Sequence, residues 1–125
     1  MKIHLAKAEG QNQFTGYGDN YVDINQRRVE RSIIVMADQL IENWPVISFE
    51  TLAQEHFEQL AALPIEIVLL GSGATLRFPH PRLSVALQAR HIGLEVMDNS
   101  AACRTYNILM QEGRKVAAAL ILSEP

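Results

Sequence analysis

Two short stretches in the second half of the chain carry the residue types best suited to chemistry. One is Gly71-Ser72-Gly73, followed by Arg77; the other is Asp98-Asn99-Ser100, leading into Cys103 and Arg104. A Gly-x-Gly turn after a buried strand can bring backbone amides close to a phosphate. Here the third glycine of a dinucleotide fingerprint is replaced by Leu76, and no Gly-Lys-Ser/Thr follows, so a nucleotide phosphate loop is excluded. The bland alternative is a tight strand exit without room for side chains. Cys103 beside Arg104, early in a helix, has a setting that can lower a thiol's pKa. A catalytic cysteine also needs a base and an orienting group. His80 and His91 are candidates for that base by elimination alone, and a small core residue is the better reading of Cys103. Arg77 and Arg104 could face one another across a cleft and hold an anion or an acidic partner segment, but a salt bridge with Asp98 or a solvated surface position is the better reading. Asp98 and Asn99 read best as helix caps. No carboxylate pair is placed for acid–base work and no histidine spacing suits a metal, so no catalytic residue, cofactor or metal ligand is assigned.

These stretches sit at the ends of short apolar runs. Ile65–Leu70, Gly93–Asp98 and Val116–Leu122 are separated by helical patterns, the signature of an α/β sheet. Ligands in such sheets bind outside the carboxyl ends of strands, so the two corners should be neighbours if their strands pair. Val116–Leu122 is apolar throughout and belongs in the middle of the sheet. A first helix is expected from a Ser48 cap to Pro64, with Phe49, Leu52, Phe57 and Leu60 on one face. A second follows Pro81 and ends on Gly93 as a left-handed stop. A third starts at Asn99 or Ser100 and ends at Gly113. His56 lies near the edge of an apolar stripe with no second ligand at the helical spacing a metal would need.

The first third reads as β-rich. Gly18-Asp19-Asn20 and Asn25-Gln26-Arg27 mark two turns, and Val29–Met36 reads as a single strand entering a buried sheet. Trp44-Pro45 sits in a connector, with Trp44 assigned to the core.

The 125 residues suit a single domain, 1–125, with 48% hydrophobic and 20% charged residues. A net charge of −3 argues against a phosphate-neutralising nucleic-acid binder. The single cysteine suits a reducing compartment. Met1–Glu9 lacks the apolar core of a signal peptide, and no run is long enough to span a membrane. A soluble cytoplasmic protein without direct membrane insertion is expected.

Leu70–Gly73, Ile92–Asp98, Ala101–Leu109 and Glu112–Ile121 together resemble one small α/β family, as do the Phe14–Gly18 corner and Trp44. That family is known mostly through bacterial and archaeal proteins of unassigned function. It includes a mitochondrial assembly factor for respiratory complex I and an adipogenesis-associated domain protein. The resemblance implies a three-layer α/β domain with a mixed central sheet, which fits the β-rich N-terminal third and three main helices read from the residues. It also implies a last strand antiparallel to its neighbours, no catalytic residues to carry over, and assistance to a larger complex by contact. The leading expectation is therefore a non-enzymatic protein-interaction or assembly module with a protein partner and no nucleic acid. The alternative is a small-molecule or anion-binding protein, or weak enzyme, using the cleft between Gly71–Arg77 and Asp98–Arg104. Oligomeric state does not follow from the sequence.

Overall fold

The computed structural model describes residues 10–123. The reading of Met1–Glu9 lies outside them. Three strands, β1 (Phe14–Gly18), β2 (Tyr21–Ile24) and β3 (Arg27–Val29), form a small antiparallel sheet. Its second turn places Asn25 and Gln26 at φ 49° and 71°, the paired left-handed conformation that matches the twist of adjoining strands. The run 29–36 is not one strand. It breaks at 30–32, and β4 (Ile33–Met36) enters a different sheet beside β5 (Gln39–Ile41), a strand that composition did not reveal.

The first helix also divides. Phe49–Thr51 forms a 3-10 turn with Ser48 at its start, and α1 spans Gln54–Ala61. His56 explains where α1 begins: its Nδ1 accepts the Ala53 N–H at 2.9 Å, the part a Glu or Gln at the third helical position plays in a capping box. Buried beside Trp44, His56 is thus structural. Then come β6 (Ile67–Gly71), a second 3-10 turn (Pro81–Ser84) running into the short α2 (Val85–Ala89), β7 (Gly93–Met97), α3 (Asn99–Gln111) and β8 (Val116–Leu120). Gly93 does not stop the second helix. His91 takes the left-handed conformation, φ 57°, and Gly93 opens β7. Gly113 closes α3 as expected, at φ 81°.

The five-stranded sheet runs β5-β4-β8-β6-β7. β8 lies in its centre, antiparallel to β4 but parallel to β6, so the expectation of a last strand antiparallel to its neighbours holds on one side only. The sheet is mixed, and side chains alternate between its faces. Val35, Leu69, Ala118 and Leu120 meet Ala102, Cys103 and Tyr106 of α3, together with Phe14, Val22 and Ile24 of the small sheet. Ile34, Val68, Leu70 and Ala119 meet Phe57 and Leu60 of α1 and Leu87 of α2. The alanines of β8 let helices come close on both faces.

Two contacts lock the small sheet to α3. Phe14 packs edge-on against Tyr106, centroids 5.2 Å apart. Asn107 accepts the Phe14 N–H at 2.9 Å and donates to the Phe14 C=O at 2.8 Å, so one side chain satisfies β1 as a neighbouring strand would.

Candidate functional site

β6 is where the connections diverge. The chain leaves it through α2 on one face to reach β7, then returns through α3 on the other face to reach β8. A crevice outside the carboxyl end of such a strand is the usual ligand position in open α/β sheets. Gly71 ends β6 at that point, and its parallel pairing with β7 brings the two corners together.

The chain itself fills the junction. Ser72 donates its N–H to the Met97 C=O at 2.9 Å, and Asn99 donates its N–H to the Gly73 C=O at 2.9 Å. The Asn99 side chain accepts the Gly73 N–H at 3.1 Å and donates to the Ile121 C=O at 3.0 Å, tying the ends of β6 and β8 to the start of α3. Gly71 is glycine because of this close approach. A Cβ there would lie 2.3 Å from Asn99 Oδ1 and 2.6 Å from Leu120 Cδ2. The Ser72 hydroxyl donates to the Thr75 C=O at 2.8 Å and accepts the Arg77 N–H at 3.1 Å, shaping the loop beyond.

Asp98, not Asn99 or Ser100, is the residue that caps α3. Its Oδ1 accepts the Ala101 N–H and the Ser100 hydroxyl, both at 2.9 Å. The Ala101 N–H, then the Ser100 hydroxyl, hold its carboxyl below the usual carboxylate range. The helix N-terminus therefore already carries its own anion.

The two arginines do not converge. Arg77 pairs with Glu50 at 2.5 Å and lies over the Phe49 ring, 4.4 Å from its centroid, on the α1 side of the sheet. This hydrogen bond pulls the Glu50 carboxyl down. Arg104 donates to the Tyr17 hydroxyl at 3.1 Å, on the side of the small sheet. Cys103 is 1% exposed, and burial pushes its thiol up to about 12 despite Arg104 next to it. His80 and His91 flank α2, across the sheet from Cys103; His80 Nδ1 accepts the Arg82 N–H. Cys103 is a core residue. Among the described residues, no cluster of His, Cys, Asp and Glu could hold a metal ion.

What opens at this rim is a cavity of about 470 Å³ between the corner and the β1–β2 turn. Gly73, Asn99 and Ser100 line it from one side, and Tyr17, Asp19 and Asn20 from the other. The hairpin contribution went unread in the sequence. Gly18-Asp19-Asn20 signals a turn, and nothing local says which surface the turn will face. Asn20 is held there by donating to the Ser123 C=O at 2.6 Å.

Comparison with known proteins supplies the context. No helix among the described residues is long and apolar enough to cross a membrane. The mouse protein named NADH dehydrogenase [ubiquinone] 1 alpha subcomplex assembly factor 3 is 38% identical over 89 residues, 70% of this chain and 48% of that protein. Its bovine counterpart is 34% identical over 127 residues, 97% of this chain and 68% of its own. The chain thus spans about half to two thirds of these relatives' length. A crystal structure of a Bordetella parapertussis protein superposes with a TM-score of 0.84 at 36% identity, covering 91% of this chain and 98% of that one. Residues 14–121 match the family model described as "Protein of unknown function (DUF498/DUF598)", and the chain belongs to that family.

Proposed function

We propose that the chain is a cytoplasmic protein-interaction or assembly module that works by contact rather than by catalysis. The observation that carries this reading is the likeness, over nearly the whole chain, to mammalian proteins named as assembly factors. The geometry of the rim supports it. A site that binds and turns over a small substrate keeps polar groups free for it, whereas Asn99, Ser72 and Asp98 spend theirs on the chain itself. The chain is then presented to a protein partner, through the surface at Arg77 or the separate one at Arg104, and not to nucleic acid, in keeping with the net charge of −3. Quantitative co-purification of the tagged chain under gentle conditions tests this. A single stoichiometric protein is expected, with retention reduced in Arg77→Ala or Arg104→Ala. Isolation of the chain free of any partner would count against the reading.

The cavity favours a second reading, in which a small molecule binds where Gly73, from the stretch Gly71 to Arg77, meets Asn99 and Ser100, from the stretch Asp98 to Arg104. A thermal-shift screen with phosphates, nucleotides and carboxylic acids addresses it, since a ligand selective for the native state raises Tm. With Asp98 and Asp19 close by, simple anions are expected to give the smallest shifts. No shift with any compound would remove this alternative.

A further inference from the structure

We propose that the segment from Leu76 to Arg90, which follows the Gly73 corner, is a docking surface for an acidic segment of a partner protein. This inference rests on the interaction-module reading and specifies which face the partner meets and with what chemistry.

The first observation is charge. The chain holds 14 Asp and Glu, yet none falls between Ile67 and Leu94, where Arg77, Arg82 and Arg90 stand with His80 and His91. Glu50 neutralises Arg77. Arg82 and Arg90 are exposed and form no ion pair among the described residues. Elsewhere, Arg27, Arg28 and Arg114 each pair with a carboxylate and Arg104 bonds the Tyr17 hydroxyl, so guanidinium groups left unanswered are not the rule for this chain's arginines.

The second observation is apolar exposure on the same segment. Phe78 is 70% exposed, Leu76 51% and Val85 49%. The 3-10 turn and α2 turn Ser84 and Leu87 inward, which leaves Arg82 and Val85, three residues apart, on the outer side. Exposed aromatic and aliphatic side chains interleaved with guanidinium groups are the anchor chemistry of protein interfaces. The complementary surface is one that offers carboxylates to Arg82 and Arg90 and an apolar side chain to Phe78.

An anionic membrane shares part of that chemistry, but two features favour a protein. Lipid surfaces are held by clusters of about 4–8 Lys or Arg, whereas only Arg82 and Arg90 stand here without an ion pair among the described residues. In addition, α1 packs beside α2 and the preceding turn in the same layer and exposes Glu55 and Glu58. A flat anionic bilayer resting on α2 would meet those carboxylates, while a narrow peptide segment can pass them.

The test places a photoreactive benzophenone side chain at Phe78, or at exposed Ile108 on α3 as the reference position, in the full chain inside cells. Cross-linked peptides are then identified by mass spectrometry. Position 78 is expected to capture a net-acidic peptide from one protein. Arg82→Glu combined with Arg90→Glu should lower that yield by about tenfold while Tm and the yield at position 108 hold. If the charge reversals unfold the chain, Arg82→Gln with Arg90→Gln takes their place. Capture of lipid, of basic or uncharged peptides, or of nothing at position 78 overturns the proposal, as does a yield indifferent to the arginine changes. Protein capture at position 108 with none at 78 would reject this surface and leave the module reading standing. Capture at neither position would remove both.

Discussion

At the corner built from Gly71, Ser72 and Asn99, strand ends, helix start and side-chain amide answer one another within 3.1 Å. A few residues along, Phe78 stands open to solvent and Arg82 has no carboxylate partner among the described residues. The first region lies where α/β sheets commonly hold ligands, and the second is an ordinary-looking crossover connection. The contrast shows that position in a fold nominates a site, whereas unsatisfied chemistry is what leaves room for a partner. Here the two criteria select different stretches of chain.

The comparison can be broken by substitution. Gly71→Ala should have the largest effect, about 3 kcal/mol of lost stability in urea unfolding, because the Asn99 amide, pinned by two hydrogen bonds, and the Leu120 methyl cannot both yield to the new methyl group. A change within about 0.5 kcal/mol would mean that the corner is looser than its hydrogen bonds indicate. Asn99→Ala should follow at about 2 kcal/mol, as the Gly73 N–H and Ile121 C=O lose their partner together.

Asp98→Ala should cost about 1 kcal/mol at neutral pH through loss of the α3 cap. Its pH dependence gives a sharper check. The folded-state pKa is depressed, so the contribution is present above the unfolded carboxylate pKa and disappears as pH falls through the folded value. Parent and variant stabilities should therefore converge in acid, and a gap that persists there would assign the effect to packing instead. Phe78→Ser and Arg82→Gln should have the smallest effects on unfolding, within about 0.5 kcal/mol, because nothing in the fold leans on either side chain. A larger loss would move that segment into the self-satisfied class and erase the contrast.

Sequence made the sheet legible wherever apolar runs were uninterrupted. β6, β7 and β8 follow directly from such runs, and α3 follows from its stripe and its Gly113 stop. The elements that escaped are those whose identity is decided by distant partners. β5 is an exposed Gln39 and two half-buried residues, Leu40 and Ile41, that become a strand by pairing with β4. The direction of β8 relative to each neighbour depends on how the chain returns over α3, which no local pattern encodes. Phe49 and Leu52 fit the helical stripe of α1, yet His56 starts the helix later by reaching back to Ala53. Of the site residues, the meeting of Gly73 with Asn99 could be read from adjacent strand ends. Arg77 and Arg104 could not be resolved, because their alternatives, a shared anion or separate partners, differ only in where Glu50 and Tyr17 fall in space.

The double hydrogen bond from Asn107 to Phe14 joins residues 93 positions apart, and Tyr106 reaches Asn12 across 94. During synthesis the first three strands leave the ribosome long before the helix that covers them exists. Phe14, Val22 and Ile24 must wait in water, or against a chaperone, until the chain through α3 has emerged. Translation therefore completes this fold late, and ribosome-bound chains truncated before α3 will carry the first three strands unprotected and protease-sensitive.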